Sequence, residues 1–344
     1  MKTTDFDYNL PEELIAQFPL EKRDTCKLLI YNKVTQGITH TKFYDIVNYF
    51  EKDDVLVLND TKVIKARLFG NREKTNANIE FLVVRLIDLV TMIVMAKPLR
   101  RIKVGDYILF PGDLKVEVIS IGDDNLVKVR CILETSIFEY LDKYGNMPLP
   151  PYIKKKLLDD DLYQTIYAKN SGSIAAPTAG FHFTKELLED LKSIGVTVTY
   201  ITLNVGLATF LPVKEELIEN HKMHEELYTI SEETCQILNS AIEKKTRIIG
   251  CGTTTLRALE SNIKDNSFHK GDFATSIFIY PPYKIKSIDG LITNFHLPKS
   301  TLLMLLSSFI GTDEVRRIYN IAIQNEYRFF SFGDAMFVTN DRRK

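Results

Sequence analysis

Apolar positions recur along the chain with two different periods, and the periods fall in different stretches. Lys27–Tyr31 and Asp54–Leu58 are short apolar runs bounded by polar residues, the pattern of buried strands. Between them, Phe43–Tyr49 spaces its apolar residues as an amphipathic helix, and Pro11–Ile15 is a short helix start. From about Thr61 to Leu133 the texture changes. Ile79–Leu86, Thr91–Ala96, Tyr107–Phe110, Leu114–Ile119 and Leu126–Leu133 read as short strands. Turn residues separate them, Pro111-Gly112-Asp113 and Gly122-Asp123-Asp124-Asn125 among them. Short strands without a long helical pattern predict a small β-barrel or sandwich. Met147-Pro148-Leu149-Pro150-Pro151 then stiffens the chain as a linker.

After Pro151 helical and strand periods alternate. Thr184–Ser193 predicts a helix capped by Thr184, and Val196–Leu203 a strand. Ser231–Lys244 predicts a helix capped by Ser231, with Glu233 and Thr234 in its first turns. Arg247–Gly250 is a strand running into the helix Thr253–Ile263, with Leu256, Leu259 and Ile263 on one face. Leu302–Phe309 and Glu314–Asn325 are further helices, and Met336–Val338 is a last strand. The expected architecture is α/β. A larger α/β domain is built from both chain ends, residues 1–60 and 150–344, and is interrupted by an inserted small antiparallel β-barrel domain at 61–149.

Composition narrows the class. A chain of 344 residues exceeds what one compact core usually fills. At 45% hydrophobic and 26% charged, it has the mix of a globular protein, not of a disordered or collagen-like one. The start, MKTTDFDYNLPEEL, lacks the apolar stretch of a secretory leader. The most apolar run, Ile79–Ala96, is broken by Arg85 and Asp88 and is too polar for a membrane span. Cys26, Cys131, Cys235 and Cys251 lie far apart without a CxxC pair, which argues against a zinc cluster or a disulfide framework and fits a reducing cytoplasm. The net charge of −1 does not signal a strongly basic nucleic-acid binder. The basic residues are nevertheless grouped: Lys62, Lys65, Arg67, Arg72 and Lys74; Lys97, Arg100, Arg101 and Lys103; and Lys154–Lys156. Such groups are either solvated surface or a local patch for a polyanion.

Four motifs carry chemical variety. Gly250-Cys251-Gly252-Thr253-Thr254-Thr255 sits at a strand-to-helix turn, where backbone N–H groups attract an anion or a polar ligand edge. It is neither a P-loop nor GxGxxG; its plain reading is a capped helix, with Arg257 and Glu260 as a surface pair. Ser171–Thr184 is rich in small residues and places His182 between Phe181 and Phe183, a pattern that suits either ligand approach or a buried histidine. His221-Lys222-Met223-His224 puts two imidazoles on one face if the segment is helical. Zinc would need a third ligand that is missing at sensible spacing, so acid–base or hydrogen-bonding use is the better reading. Thr293–Thr301 combines Asn294, His296, Lys299 and Ser300, more variety than a helix cap requires. Near the C-terminus, Tyr327–Asp334 mixes aromatic residues with Arg328 and Asp334, which core packing or base stacking explains equally well. GxSxG, HExxH and the kinase signatures are absent, so these residues alone indicate an enzyme or a binding protein with a polar, nucleotide-like site.

Taken together, several segments resemble the S-adenosylmethionine:tRNA ribosyltransferase-isomerase family of queuosine biosynthesis. They are FDYNLPEELIAQFP (6–19), VLNDTKVIKARLFG (57–70), MPLPPYI (147–153), YQTIYA (163–168), GSIAAPTAGFHFT (172–184), HKMHEE (221–226), GTTTLRALES (252–261), LITNFHLPKSTLLML (291–305) and YRFFSFGDAM (327–336). They run through nearly the whole chain in the family's order. The sequence departs from that pattern at Asn204, where the family has His, at Ala208, where Gly is usual, at Pro282, and at Lys27 in place of Arg. Asn204 supplies a neutral hydrogen bond and cannot titrate.

The resemblance implies transfer of the ribosyl part of S-adenosylmethionine to 7-aminomethyl-7-deazaguanine at the tRNA wobble position. The ribose is then isomerised to an epoxy-cyclopentane ring, giving epoxyqueuosine and releasing adenine and methionine. S-adenosylmethionine is consumed as substrate, with no other cofactor and no metal, and a cytoplasmic monomer without membrane attachment is expected. By the same resemblance, His182, His224 and His296 are expected to move protons, with Asp60 as an orienting or basic carboxylate. Thr178, Gly180, Thr253, Thr254, Arg257, Asn294, Lys299, Ser300, Tyr327 and Arg328 are expected to hold substrate. Lys62, Arg67, Lys97, Arg101 and Lys154 are expected to hold tRNA phosphates, and Phe181, Phe295 or Tyr327 to stack on the wobble base. Two rivals remain open: an RNA-binding module without catalysis, and a methyltransferase.

Overall fold

The computed structural model describes residues 1–344 except 123–124, 151, 156, 158, 207–212 and 341–344. Asp123 and Asp124 of the predicted turn, Pro151 of the linker, Lys156 and Ala208 lie outside the described residues. The chain forms two compact units. Met1–Thr61, Pro151–Asn170 and Ala176–Lys344 make the larger one; Lys62–Pro150 and Ser171–Ala175 make the smaller.

The first strands are β1 (Lys27–Asn32), β2 (Ile38–Lys42), β3 (Val55–Asn59) and β4 (Thr61–Val63). Next come β5 (Arg67–Arg72), β6 (Asn78–Leu86), β7 (Thr91–Lys97), β8 (Tyr107–Leu109), β9 (Lys115–Ile121) and β10 (Leu126–Ile132). The remainder are β11 (Asn170–Ser173), β12 (Thr197–Leu203), β13 (Glu226–Ile230), β14 (Ile248–Cys251), β15 (Gly271–Thr275), β16 (Gly290–Asn294) and β17 (Ala335–Thr339). The α-helices are α1 (Ile137–Tyr144), α2 (Lys185–Ser193), α3 (Glu232–Lys244), α4 (Thr253–Asn262), α5 (Thr301–Ile310) and α6 (Thr312–Gln324).

The larger unit holds a nine-stranded sheet in the order β15-β13-β12-β3-β14-β16-β17-β1-β2. β12, β3, β14 and β16 run parallel; β17 is antiparallel to β16, and β1 is parallel to β17. One edge of the sheet therefore collects the carboxyl ends of four strands and the amino ends of β17 and β1. β3, β14, β16 and β17 are buried at every residue, which is why their sequences show no apolar–polar alternation. α2 buries Leu187, Leu188 and Leu191 against a core containing Leu28, Leu56, Phe183, Ile249 and Phe337. Thr184, Ser231 and Ser300 accept from backbone N–H groups at the starts of α2, α3 and α5, so the expected caps of α2 and α3 are present.

The smaller unit is a closed barrel in the order β10-β7-β6-β5-β8-β9, antiparallel throughout. Alternate residues point inward, with Phe81, Val83, Val94, Val118 and Val129 buried. Closure leaves no open sheet edge to pair with another chain. The expected fold class, a larger α/β body with an inserted antiparallel β-barrel, is what the structure contains.

Some local expectations are corrected. Phe43–Tyr49 is a 3-10 helix, because its buried residues Phe43, Ile46 and Tyr49 recur every third position. Only Glu12–Leu14 is helical near Pro11, again as a 3-10 turn. α4 is buried nearly all round, not along one stripe, and Ile263 lies beyond its last turn. α1, capped by Ser136, is amphipathic but only eight residues long and follows directly on the strand-rich stretch, and the half-exposed β2 carries a weak apolar pattern. Among the described residues no helix is long and apolar enough to cross a membrane.

Candidate ligand pocket at the carboxyl edge of the sheet

Three chain segments meet at the collecting edge of the sheet. β14 ends at Cys251, and Gly252 then turns the chain into α4 with φ of 90°, a conformation that favours glycine. Gly252 has no side chain to cap α4, whose first residues Thr253 and Thr254 line the pocket beside it. β16 ends at Asn294 and leads through His296 to Ser300, which starts α5. Pro177–Ala179 and Phe330–Ser331 complete a partly open pocket. Its polar lining comes from Thr178, Thr253, Thr254, Thr293, Asn294, His296, Ser300 and Ser331. An apolar wall carrying a few placed polar groups is the kind of lining that holds and orients a small ligand.

Two imidazoles belong to this wall and what lies behind it. His296 Nε2 lies 3.0 Å from Thr293 Oγ1, and the His296 backbone N–H donates to the Tyr319 hydroxyl at 3.0 Å. Burial lowers the His296 pKa to about 3, so the ring is uncharged at neutral pH. His182 is likewise lowered to about 3, by burial first and then by the Arg328 and Arg23 guanidiniums. Both rings stay neutral when folded but protonate near pH 6.5 once unfolded. Stability is therefore lost as pH falls from about 6.5 toward 3, by about 1.4 kcal/mol per pH unit for each ring. Urea unfolding between pH 7 and 5 checks this: His182→Gln should flatten the slope by one proton, and an unaltered slope would contradict it.

The structure gathers part of the expected site. Thr178, Thr253, Thr254, Asn294, His296 and Ser300 line one pocket. His182 stands behind Asn294 and borders a smaller cavity with Cys26, Arg23 and Arg328. Asp60, at the end of β3, accepts from Thr202 Oγ1 at 2.6 Å and from Asn170 Nδ2 at 3.0 Å, off the pocket. His224 is exposed on the non-helical segment 221–225, so the two imidazoles of that motif do not share a helical face. His221 instead bonds Glu215 at 3.1 Å.

Other expected site residues already have partners within the fold. Arg257 is buried and ion-paired to Glu226, and its Nε donates to the Ile277 carbonyl at 3.3 Å; it is no surface pair with Glu260 and does not line the pocket. Glu260 is itself buried and accepts from the backbone N–H groups of Lys286 and Ser287. Lys299 Nζ is paired to Asp7 at 2.7 Å. The Arg328 guanidinium lies 3.6 Å from Asp334. Gly180 serves packing: a Cβ there would lie 2.0 Å from the Tyr167 hydroxyl. The aromatic candidates are core residues. Phe295 packs on Tyr319, Tyr327 and Phe329 while also lining the pocket, Phe181 packs on Tyr163 and Phe332 and borders the smaller cavity, and Tyr327 is buried. Asn204 accepts from Thr61 Oγ1 at 2.9 Å, a neutral bond an amide can make.

Of the basic residues, Lys62, Lys97, Arg101 and Lys154 are exposed. Arg67 is half-buried, 3.5 Å from Glu80 and bonded to the Leu149 carbonyl, so its charge is already compensated within the barrel. Thr293, Ser331 and Cys26 join the site without being marked as candidates by the sequence. Thr293 and Ser331 lay within quoted motifs, whereas no sequence signal links Cys26 to His182 across 156 positions. Among the described residues no group of three or more His, Cys, Asp or Glu is placed to hold a metal ion.

A pocket at the carboxyl edge of a largely parallel sheet, fronted by an uncapped helix start and a neutral imidazole, defines an α/β protein built to bind a small polar ligand. The model of the queuosine biosynthesis protein family matches residues 3–338. The S-adenosylmethionine:tRNA ribosyltransferase-isomerase of Clostridium kluyveri is 52% identical over 340 residues, 98% of this chain and 100% of that protein. The protein of the same name from Caldanaerobacter subterraneus is 50% identical over 340 residues, with the same coverage. The crystal structure of S-adenosylmethionine tRNA ribosyltransferase from Thermotoga maritima is 35% identical, with a TM-score of 0.56, and the match covers 97% of this chain and 99% of that one. The chain belongs to the queuosine biosynthesis protein family, as its motifs indicated.

Proposed function

We propose that this chain transfers the ribosyl moiety of S-adenosylmethionine to 7-aminomethyl-7-deazaguanine at the wobble position of tRNA and isomerises it to epoxyqueuosine. Adenine and methionine leave. The observation that carries this reading is identity of about half, over the full length, with relatives bearing that enzyme's name. The enzyme acts in the cytoplasm as a monomer, with the sulfonium compound as consumed substrate and without a metal. Digesting the tRNA after reaction and weighing the wobble nucleoside tests it. Epoxyqueuosine supports the proposal. A methylated nucleoside, or an unchanged one, sinks it in favour of a methyltransferase or a binding module.

S-adenosylmethionine occupies the pocket between Gly252–Thr254 and Asn294–Ser300 in this reading. The start of α4 favours negative charge, so the methionine carboxylate belongs near it. Keeping His296 uncharged matters for a sulfonium ligand, because an imidazolium in the same dry pocket would repel it. A neutral His296 is the proton acceptor proposed for the carbon next to sulfur, whose acidity the sulfonium charge raises. No step is assigned to Asp60 or His224, which lie off the pocket.

Lys97, Arg101 and Lys62 on the barrel unit, and Lys154 on the larger unit, are proposed to contact tRNA phosphates. Replacing Lys97 and Arg101 by Glu should weaken tRNA binding and reduce the slope of log affinity against log salt by roughly 1.5–2. S-adenosylmethionine affinity without tRNA should not move. An unchanged salt slope, measured by filter binding, would remove this patch from the interface.

A further inference from the structure

The hydrogen bonds behind the pocket determine which atoms face its ligand. Asn294 Nδ2 lies 3.2 Å from the Phe330 carbonyl oxygen and 3.5 Å from that of Asp334. Two carbonyls require a donor, so this atom is the amide nitrogen and the other terminal atom is the oxygen. The same nitrogen lies 3.1 Å from His182 Nε2. An amide N–H donates, so Nε2 carries no proton. In the neutral ring the proton then sits on Nδ1, 3.2 Å from Cys26 Sγ. Burial raises the Cys26 thiol well above its ordinary range, so the sulfur there is an uncharged, weak acceptor.

This chain of contacts leaves Asn294 asymmetric. Both amide hydrogens are committed away from the ligand, to His182 and Phe330. Its Oδ1 accepts weakly from Thr178 Oγ1 at 3.4 Å and has a second lone pair, on a residue that lines the pocket. His182 has both ring nitrogens occupied and does not line the pocket itself.

We propose that His182 is a positioning residue that moves no proton: its bare Nε2 locks the Asn294 amide, so that Asn294 Oδ1 presents an acceptor to an O–H or N–H donor of the bound substrate. This deepens the functional reading above, since it takes S-adenosylmethionine as the pocket's ligand. It also removes His182 from the proton-transfer role that its motif suggested.

Two variants of the full chain separate positioning from proton transfer. His182→Gln keeps an acceptor oxygen for Asn294 and cannot titrate. His182→Leu keeps bulk but removes the acceptor, which leaves one amide hydrogen without its partner and the amide held only on its Phe330 and Asp334 side. Positioning predicts that the Gln variant retains kcat within about threefold with an unchanged pH–rate profile, while the Leu variant raises KM for S-adenosylmethionine about tenfold, a loss equivalent to about 1.4 kcal/mol, with a smaller change in kcat. If the Gln variant instead loses kcat 100-fold or more together with one limb of the pH profile, the proposal is overturned. A second measurement does not depend on turnover. The ¹⁵N spectrum of the wild-type imidazoles, with His182 assigned by its absence from the Gln variant, should show an Nδ1–H tautomer persisting below pH 5. An Nε2–H ring, or a protonated one at pH 6, overturns the proposal even if the enzyme is active. The expected tautomer in a chain that releases no adenine would support the lock on Asn294 and count only against the reading of the reaction.

Discussion

Replacing His296 by alanine is expected to lower kcat by about 10²-fold or more, within the range for losing a positioned proton-transfer group. The ring is buried at the pocket wall, neutral, and tethered to Thr293. Its removal also leaves a small cavity, so some stability is lost as well. His296→Gln separates the two effects, since it refills most of the space and offers hydrogen bonds without a titrating group. The expected pattern is near-native unfolding for the Gln variant with turnover almost as low as alanine's. Turnover of the Gln variant within a few-fold of wild type would mean that His296 only binds.

The second large effect concerns stability. Arg257 and Glu226 form an ion pair whose side chains are 3% and 4% exposed. Glu226 also accepts from the Gly206 backbone N–H at 3.1 Å. Removing one partner strands the other charge in a dry interior, at a cost of about 3–5 kcal/mol. Arg257→Leu should therefore shift the urea midpoint sharply downward. The double variant Arg257→Met with Glu226→Met should recover much of that loss, because two apolar side chains of similar volume need no compensation. A single variant costing less than about 1 kcal/mol, the range of exposed pairs, would show that the pair is solvated in solution. Loss of activity in Arg257→Leu would follow from unfolding, and S-adenosylmethionine affinity of the folded fraction should stay near normal.

Arg257 also shows where sequence reasoning ran out. Its motif was legible: Gly252–Thr254 at a strand-to-helix turn is where the structure puts them, and Asn294, His296 and Ser300 lie across from them. Local patterns reveal strand ends and helix starts, and those are what this pocket is made of. A partner for Arg257 was not legible, because Glu226 belongs to an edge-side strand 31 positions away and nothing local marks the pairing. The same holds for Cys26 and His182. The packing partners of the aromatic residues were not legible for a related reason. Phe181, Phe295 and Tyr327 sit in motifs beside chemistry-bearing residues, yet their neighbours in space are other rings. The barrel was legible because short strands with frequent turns exclude most alternatives, while helix α1 at its end, only eight residues long, was lost among them.

The central claim is that this pocket holds S-adenosylmethionine while tRNA supplies the amine that receives its ribosyl moiety. Its most direct measurement is the release of adenine and methionine, quantified with and without tRNA bearing 7-aminomethyl-7-deazaguanine. The account predicts the two products in equal amounts, only with that tRNA, and their loss in His296→Ala. Release of S-adenosylhomocysteine in their place, or adenine release indifferent to the tRNA, would contradict it.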